Sequence, residues 1–463
     1  MNSHIFREYD IRGVFGKDFT EQDAELIGRA AASHLKRLGA KNMVVGRDCR
    51  VSSPALRKAI VRGIVSAGVD VIDVGMVPTP EYCFAVGYLK SGGGIMITAS
   101  HNPPEFNGFK INFAGFTGSF TGPEVRELHK IIVGSAFESG VGKEEERNVD
   151  EDYLLRLLKD ITTDVKLKLV VDAGNGVAGE MTCRVLRKLG HDVISIHCEP
   201  DGTFPNHEPN PESVSTLRDL IAEVRRSGAD AGIALDGDGD RIGLVDERGE
   251  VVLIDRLLAL FARVVLEKNP GAKVVFEIKC SQALSEDIVA HGGIPLLNRT
   301  GHSFIQKRMA EENALLGGEV SGHVFFRDRA EGVDDGIYAA CRLAEILSCT
   351  SKTLSQLFSD LPKYVSTEEI LVDCPDEVKF GVIERFTKKM KESGKEVVDV
   401  DGCRVHYVDG WGLARVSNTR PVVSTRFEGK TREALERIYA EFTRELAIEG
   451  IKLPDLNEVH VTN

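Results

Sequence analysis

Long apolar runs are missing from this sequence. No segment approaches the roughly 18 apolar residues of a membrane-spanning helix, and the first residues, MNSHIFREYDIR, are charged where a secretion signal has an apolar core. We therefore expect a soluble cytoplasmic protein without a membrane partner. Positive charge is also scarce, since 58 lysines and arginines face 71 aspartates and glutamates. A net charge of -13 argues against a nucleic-acid partner and is compatible with either a monomer or a dimer.

The nine cysteines contain no C-x-x-C pair, the spacing of many redox and zinc motifs. They are scattered and odd in number, so we expect reduced thiols in a cytosolic protein. Hydrophobic residues make up 42% of the chain and charged residues 28%, which is typical of a soluble globular protein. At 463 residues the chain is too long for one hydrophobic core, so several domains are expected.

A pattern of strand, helix and strand occurs three times. The first strands are NMVVGRD at 42, KLVVDAGNG at 168 and KVVFEIKCS at 273. The second strands follow glycine in GVDVIDVG at 68, GHDVISIH at 190 and GGIPLLNRT at 292. Three related α/β units are the simplest interpretation of this repetition.

Polar segments separate these units. GKEEERNVDED (142–152) and LPKYVSTEE (361–369) predict boundaries near 150 and 364, and a less distinct boundary lies near 253, within DERGEVVLIDRLLALFARVV. The last hundred residues differ, because VDGCRVHYVDGWGLARVSN predicts a hairpin and TREALERIYAEFTRELAIEG a helix. The expected domains are 1–150, 151–253, 254–364 and 365–463.

The stretch TASHNPPEFNGFK (98–110) follows a short apolar strand, SGGGIMI, and places Ser100 at the end of that strand, where α/β sheets bind ligands. In a hydrolase, His101 would activate Ser100, but adjacent residues on an extended chain point to opposite faces, so a direct dyad has poor geometry. The alternative is a serine that carries a phosphoryl group. Its roughly -1.5 to -2 charges would need a cation and Lys110 as partners.

Asp236, Asp238 and Asp240 alternate with glycines directly after an apolar strand. Carboxylates this close repel one another unless a cation neutralises them, and oxygen ligands favour Mg²⁺ or Ca²⁺. A calcium EF-hand loop starting at Asp236 would end at Glu247, but its sixth position is Arg241 instead of glycine and its flanks resemble strands. A solvated turn is the other alternative.

In GGEVSGHVFF (317–326), Glu319, Ser321 and His323 alternate with small residues. An extended segment would put the three side chains on one side. A carboxylate and a hydroxyl form an acceptor and donor pair suited to sugar hydroxyls. The alternative is a turn whose polar groups only cap the backbone.

The segment GWGLARVSNTRP (410–421) places a guanidinium and short hydrogen-bond donors in one loop. This combination binds phosphate groups, although an ordinary Ser/Asn turn has a similar composition. The phosphate-binding candidates are Arg415, Ser417, Asn418 and Thr419.

Together with FREYDIRG (6–13), the motifs TASHNP, DGDGDR, GEVSGH and RVSNTRP resemble the α-D-phosphohexomutase superfamily in sequence and order. GEVSGH and RVSNTRP are most similar to its phosphomannomutase/phosphoglucomutase group. The resemblance implies an α/β fold of four domains around a central cleft. Three would share an α/β/α topology, with a mixed sheet flanked by helices, and a smaller α+β C-terminal domain would close the cleft.

The resemblance also implies the composition of a site in that cleft, with one Mg²⁺ per chain and a phosphorylated Ser100. The catalytic candidates are Ser100, His101, Lys110, Arg12, Arg241 and His302. The substrate-binding candidates are Tyr9, Lys279, Glu319, Ser321, His323, Arg415, Ser417, Asn418 and Thr419. The metal ligands would be Ser100, Asp236, Asp238 and Asp240.

The implied activity is the reversible interconversion of hexose 1-phosphate and hexose 6-phosphate, with mannose and glucose as the sugars. Phosphoserine 100 would phosphorylate the free hydroxyl, and the resulting hexose 1,6-bisphosphate, which is both intermediate and activator, would turn around before returning its other phosphate. Lys110, His101 and His302 are the acid and base candidates, and Arg12 and Arg241 would stabilise charge. Alternatives are phosphoglucosamine mutase, a serine-phosphate hydrolase and a non-catalytic sugar-phosphate binding protein.

Overall fold

The computed structural model describes residues 2–8, 10–116, 118–417 and 420–462. Within these residues the strands form four sheets, which draw on residues 11–146, 168–252, 273–326 and 365–462. We call the corresponding parts of the chain domains I to IV. No strand is shared between two sheets, but the exact boundaries near 150, 253 and 364 stay predictions.

Domain I begins with a short 3-10 helix at Ser3–Ile5. Its elements are β1 Ile11–Val14, α1 Glu21–Arg37, β2 Asn42–Arg47, α2 Ser53–Ser66, β3 Asp70–Met76, α3 Thr79–Tyr88, β4 Gly93–Ile97, β5 Phe106–Phe113, α4 Gly122–Val133 and β6 Glu144–Glu146. The six strands form a mixed sheet in the order β1-β5-β4-β2-β3-β6.

Domains II and III continue the alternation of helices and strands. Domain II contains α5 Asp150–Leu158, β7 Lys168–Asp172, α6 Gly179–Lys188, β8 Asp192–Ile196, a 3-10 helix Val214–Leu217, α7 Arg218–Ser227, β9 Ala231–Leu235, β10 Ile242–Asp246 and β11 Val251–Val252. Domain III contains α8 Ile254–Lys268, β12 Lys273–Glu277, α9 Gln282–Ala290, β13 Ile294–Asn298, α10 His302–Glu312, β14 Leu316–Gly318, β15 Val324–Phe326, α11 Gly336–Ser348 and α12 Leu354–Leu357. The sheet orders are β11-β10-β9-β7-β8 and β13-β12-β14-β15.

The three strand, helix and strand units expected from the sequence are present. In β2-α2-β3, β7-α6-β8 and β12-α9-β13, the two strands pair in parallel. A third strand then joins the other side of the first in parallel, and the next strand returns antiparallel. These third strands are β4, β9 and β14. Their carboxyl ends therefore occupy equivalent positions in the three domains.

Domain IV has a different, largely antiparallel architecture. Its elements are β16 Val365–Thr367, β17 Ile370–Asp373, α13 Asp376–Glu392, β18 Glu396–Val398, β19 Cys403–Tyr407, β20 Gly410–Val416, β21 Val422–Gly429, α14 Arg432–Ile448, a 3-10 helix Leu456–Glu458 and β22 Val461–Thr462. The predicted hairpin is β19-β20, in which Cys403 pairs with Ala414, and the predicted helix is α14. The α/β class with a distinct C-terminal domain is confirmed.

The hydrophobic clusters do not follow the domains one to one. Domain I has its own core around α1, α2 and its sheet, and domain IV packs α13 and α14 on its sheet. Domains II and III instead share one continuous cluster, in which Leu169 and Val171 belong to the same core as Val274 and Phe276. The boundary expected near 253 therefore lies inside a single core. None of the helices in the described part of the chain is both long and apolar enough to cross a membrane.

Local sequence explains both where helix α1 begins and why it packs closely against helix α2. Its N-cap, Thr20, accepts a hydrogen bond from the Asp23 backbone at 3.3 Å, and the Asp23 side chain accepts from the Thr20 backbone at 2.9 Å, which forms a capping box. Gly28 of α1 and Gly63 of α2 face the other helix. A Cβ atom at Gly63 would lie 2.1 Å from the Glu25 carbonyl oxygen. The two glycines therefore permit the close crossing of these helices.

Gly63→Ala should destabilise domain I, because the backbone of α1 must move to admit the methyl group. Overpacking of this kind costs about 1–3 kcal/mol, and we expect a lower urea midpoint by circular dichroism. Gly381→Ala is the matched control, since the nearest atom to its new Cβ is the mobile end of Arg385 at 3.1 Å. That helix substitution should be neutral or stabilising. Equal midpoints for the two variants would contradict the close crossing.

Candidate active site

Three of the predicted motifs follow the third strand of each repeated unit. Ser100 comes after β4, the aspartates 236–240 come after β9, and Glu319 comes after β14. The carboxyl ends of parallel strands are the usual ligand-binding edge of an α/β sheet. The repeated topology therefore explains why motifs that are more than 80 residues apart in the chain meet in one cleft.

Ser100 is almost fully buried, with 1% of its surface exposed. Its Oγ donates a hydrogen bond to Asp236 Oδ2 at 2.6 Å and lies 3.2 Å from His101 Nδ1. The expectation that neighbouring Ser100 and His101 side chains diverge was wrong. It assumed an extended chain, whereas Ser100 has φ = 51°, in the left-handed region, which turns the two side chains towards each other.

Arg50, which sequence reasoning missed, holds the loop of Ser100 in place by hydrogen bonds. It is fully buried and donates to the carbonyl oxygens of Ser100, Asn102 and Pro103 at 2.8, 2.6 and 2.6 Å. Its charge is balanced by Asp48 at 3.1 Å. The only signal in the sequence is an Asp-x-Arg pattern directly after the apolar strand NMVVG. Such a residue orders a loop that carries a strained serine.

Asp236, Asp238 and Asp240 converge and are completely buried. Lys110 of domain I donates to Asp238 at 2.7 Å and also to Asp240, and the Thr79 hydroxyl donates to Asp238 at 2.6 Å. The cluster of carboxylates in domain II is thus neutralised in part by groups from domain I. This arrangement joins the two domains at the site.

The pKa values in this cluster reflect burial and mutual charge. Burial, together with the charges of Asp238 and Asp240, raises the pKa of Asp236 well above its ordinary value. Burial alone would raise the pKa of Asp238 as well, but the ammonium group of Lys110 lowers it. For Lys110, burial favours the neutral form, and the carboxylates overcome it and raise the pKa. Lys110 is therefore a fixed positive charge beside the aspartates.

The aspartates also have unused acceptor capacity. Asp238 Oδ1 and Asp240 Oδ1 are buried and have no hydrogen-bond partner among the described residues. A buried carboxylate oxygen without a partner is costly unless a cation is present. The EF-hand alternative does not fit, because Glu247 lies beyond β10 and accepts a hydrogen bond from the Ser355 backbone at 3.1 Å. The all-oxygen cluster instead suits a single hard cation.

Arginines and histidines from three domains line the space next to Ser100. Arg12 donates to the Asn102 side chain at 2.6 Å, within the Ser100 loop. Arg241 Nε donates to His323 Nε2 at 2.9 Å. Burial and the nearby Arg241 lower the pKa of His101 well below its ordinary value, so this imidazole is neutral. Arg12, His101, Arg241 and His323 therefore lie in one group next to the serine.

Asp334, a second residue that sequence reasoning missed, connects two of the histidines. Its Oδ2 lies 2.9 Å from His323 Nδ1 and 3.4 Å from His302 Nδ1, and the two rings stack at 5.2 Å. Since His323 Nε2 accepts from Arg241, the proton of neutral His323 is on Nδ1, the nitrogen nearer to Asp334. Asp334 follows β15 in FRDRAEGVDD, where nothing in the spacing distinguishes it from its acidic neighbours.

The segment 319–323 is a turn and not the extended strand considered from the sequence. Gly322 has φ = 101°, and the Glu319 backbone donates to the His323 carbonyl oxygen at 3.0 Å, which closes the β14-β15 hairpin. Ser321 nevertheless donates to Glu319 at 3.1 Å, as expected for a hydroxyl and carboxylate pair. The Gly301 backbone N–H donates to Glu319 Oε1 at 2.6 Å and orients this carboxylate, while His323 accepts from Arg241.

Glu277 organises the domain III side of the cleft and was not found from the sequence. It is buried and accepts from the Val320 backbone and the Thr300 hydroxyl, both at 2.7 Å. Lys279, two residues later, lies 3.6 Å from Glu277 and 3.2 Å from Glu369 of domain IV. Burial disfavours the charged ammonium of Lys279, but these carboxylates raise its pKa. Lys279 therefore connects domains III and IV by charge.

The phosphate-binding candidates of domain IV lie at the end of β20. Arg415 Nε donates to Asp401 at 2.8 Å, and Asp401 also accepts from the Thr300 backbone of domain III at 3.1 Å. Buried Lys379 donates to the carbonyl oxygens of Ser417 and Arg420 at 2.8 and 3.0 Å. Lys379 thus holds both ends of the loop in place. Tyr9, Asn418 and Thr419 lie outside the described residues, and their roles stay predictions.

Comparison with known proteins agrees with this architecture. Four family profiles match in succession: the α/β/α domains I, II and III of phosphoglucomutase/phosphomannomutase at residues 3–132, 151–249 and 254–364, and the C-terminal domain of that family at 369–445. The phosphomannomutase/phosphoglucomutase of Pseudomonas aeruginosa is 45% identical over 454 residues, which cover 98% of each chain. A phosphoglucomutase of Neisseria meningitidis is 42% identical and covers 95% of each chain.

A solved structure has the same fold along its whole length. The crystal structure of a phosphoglucomutase/phosphomannomutase family protein from Burkholderia thailandensis superposes with a TM-score of 0.92, at 42% identity and with 100% of each chain covered. The four matched domains, the full-length relatives and the cleft lined by the four motifs lead to one conclusion. This chain belongs to the phosphoglucomutase/phosphomannomutase family of phosphohexomutases, which are isomerases.

Proposed function

We propose that the chain interconverts hexose 1-phosphate and hexose 6-phosphate by carrying a phosphoryl group on Ser100. The observation that carries the proposal is the position of Ser100 Oγ, which is buried and hydrogen-bonded at 2.6 Å to Asp236 within the aspartate cluster. Phosphoryl transfer depends mainly on positioning and on neutralisation of charge. The names of the Pseudomonas and Neisseria relatives support mannose and glucose as the sugars.

One Mg²⁺ per chain fits the residues that surround this serine. Asp236, Asp238 and Asp240 offer only oxygen atoms, and the unpartnered Oδ1 atoms of Asp238 and Asp240 are ligand positions that the protein itself does not satisfy. When bound there, Mg²⁺ would supply Lewis-acid neutralisation of the phosphoryl charge. Lys110 adds a fixed positive charge at 2.7 Å from Asp238, which keeps this carboxylate ionised.

Proton movement at Ser100 involves the two groups that touch its oxygen. When the phosphoryl group leaves Ser100, the serine oxygen takes up a proton, and when the group returns, the oxygen loses it. His101, at 3.2 Å, is the candidate for this exchange, while Asp236, at 2.6 Å, accepts the hydrogen bond of the free hydroxyl. The sugar hydroxyl that receives the phosphoryl group must lose its own proton, and His302, held by Asp334, is the candidate base. Arg12 and Arg241 would stabilise the transferred charge.

A reaction that phosphorylates both ends of the sugar needs a second phosphate site away from Ser100. Arg415 and the backbone-braced loop that follows it are suited to that phosphate, and Lys279 of domain III contacts Glu369 of the same domain as this loop. Hexose 1,6-bisphosphate, the proposed intermediate, would turn between these two sites. The Ser321 and Glu319 pair can accept from or donate to sugar hydroxyls in either orientation, which such a reversal requires.

Ser100→Ala should bind sugar phosphate but not convert it, because the acceptor oxygen for the phosphoryl group is gone. The measurement is a ³¹P NMR time course with Mg²⁺, a trace of hexose 1,6-bisphosphate, and mannose 1-phosphate or glucose 1-phosphate in parallel tubes. Wild-type protein should produce the hexose 6-phosphate signal. Growth of inorganic phosphate would indicate a hydrolase, and turnover by Ser100→Ala at the wild-type rate would eliminate the role of this serine.

Asp238→Asn should raise the Mg²⁺ concentration that gives half-maximal activity by roughly tenfold or more, because a charged oxygen ligand becomes a neutral one. The measurement is a magnesium titration of the initial rate. Glu247→Gln is the matched control, since Glu247 would be a ligand only in an EF-hand loop, and we expect its titration to be unchanged. If Glu247→Gln shifts the curve and Asp238→Asn does not, the metal site has been assigned to the wrong carboxylates.

Lys379→Met should weaken substrate binding while kcat stays close to that of the wild type. The lysine donates two charge-assisted hydrogen bonds, worth about 1.5–3 kcal/mol each, that hold the phosphate-binding loop far from the reacting serine. We therefore expect KM to rise about tenfold or more. Lys388→Met, on the exposed face of the same helix, is the control. A fall in kcat at constant KM would place the effect of Lys379 at the reacting end instead.

A further inference from the structure

A second group of potential metal ligands lies in domain II, outside the site described above. Asp172 ends β7, His197 follows β8, and His207 lies on the irregular segment that leads to α7. One ligand atom of each residue lies within 4.8 Å of the other two. Asp219, in the first turn of α7, adds a second carboxylate at 3.0 Å from His197 Nε2.

His207 lies between two hydrogen-bond acceptors. His207 Nδ1 is 2.8 Å from the Glu208 carbonyl oxygen, which can only accept, so the proton is on Nδ1. Nε2 faces both carboxylate oxygens of Asp172 at 3.2 Å, so it either carries a second proton or, in a neutral ring, directs a lone pair at the carboxylate. A lone pair and a carboxylate repel each other unless a proton or a metal ion lies between them.

The second histidine adds another nitrogen ligand to the group. The rings of His197 and His207 lie 5.3 Å apart and meet nearly edge to face, at 84°. Two neutral imidazoles and the carboxylates of Asp172 and Asp219 would give a divalent ion four ligands and a net charge of zero.

We propose that Asp172, His197, His207 and Asp219 form a binding site for a divalent transition-metal ion, with Zn²⁺ as the representative. Imidazole nitrogen and carboxylate oxygen in a four-ligand set suit Zn²⁺, whereas Mg²⁺ prefers oxygen ligands. The backbone carbonyl of Glu208 is the outer partner that commonly orients a metal-binding imidazole. The side chains of His197 and His207 are 20% and 16% exposed, so an ion can enter from solvent.

The position of this site gives it a structural role. Its ligands connect β7, β8, the segment 203–211 and α7. Within that segment, Pro209 packs between the backbones of Gly174 and Gly237, and Gly237 belongs to the aspartate loop that contacts Ser100. A bound ion would hold the segment against this loop. Metal binding here should therefore raise the thermal stability of domain II without a direct part in phosphoryl transfer.

Cobalt is a suitable probe, because Co²⁺ with nitrogen ligands in a four-coordinate site absorbs visible light and Mg²⁺ does not. The full-length protein is saturated with Mg²⁺ to occupy the aspartate cluster and is then titrated with CoCl₂. We expect one Co²⁺ per chain with a visible band that Zn²⁺ abolishes. The band should persist in Asp238→Asn, which separates this site from the catalytic one.

His207→Gln and His197→Gln should weaken Co²⁺ binding by at least the roughly 10- to 100-fold that outer partners of metal ligands contribute. His197 is partly exposed, so we expect His197→Gln to fold normally even if His207→Gln disturbs the segment 203–211. His291→Gln, which removes a surface histidine beside a single aspartate, is the control and should bind as the wild type does. Zn²⁺ should raise Tm of the wild type but not of His197→Gln. No visible band in the wild type, or an unchanged band in His197→Gln, would overturn the proposal.

Discussion

The contact of Lys110 with Asp238 and Asp240 is the interaction on which the rest of this structure depends. Three completely buried carboxylates in one loop would be prohibitive without compensating positive charge, because each unpaired buried ion costs several kcal/mol. Domain I supplies that charge through Lys110, together with hydroxyl donors from Thr79 and Ser100. The same contacts that make the aspartate loop tolerable bring the serine into it. The contacts that join domains I and II are therefore also contacts that form the site.

The three repeated units explain how such distant segments meet. Each unit ends its third parallel strand at the same edge and then reverses into an antiparallel strand, which leaves a short loop at that edge. The serine, the aspartates and the Glu319 turn are these three loops. Residues at the end of the first strand, or shortly after it, have a supporting role in two of the domains, where Arg50 and Glu277 brace the loops next to them. The three units thus share one topology, and different loops lie at the equivalent edge of each sheet.

Domain IV contacts this assembly through a different kind of joint. Fully buried Arg404 donates to the carbonyl oxygens of Ile278 and Cys280 and stacks on Trp411 at 3.8 Å. Nearer the cleft, the contacts are charged, with Lys279 beside Glu369 and with Asp401 between Arg415 and the Thr300 backbone. The joint therefore combines a packed part with a polar part that lies near the cleft. In the proposed function, the polar part would belong to the site that binds the phosphate not being transferred.

The sequence by itself determined the α/β class, the three repeated units, the C-terminal hairpin and helix, and the motifs around Ser100, the aspartates and Arg415. These features are local, since strand periodicity and clustered polar residues can be recognised within about ten positions. Tertiary structure alone decided the roles of Arg50, Glu277, Asp334 and Lys379, whose partners lie far away in the chain. It also corrected one geometric prediction, because the left-handed backbone of Ser100 lies in a loop that distant Arg50 holds by hydrogen bonds. Side-chain direction depends on backbone conformation, and at this loop a residue about fifty positions away contributes to that conformation.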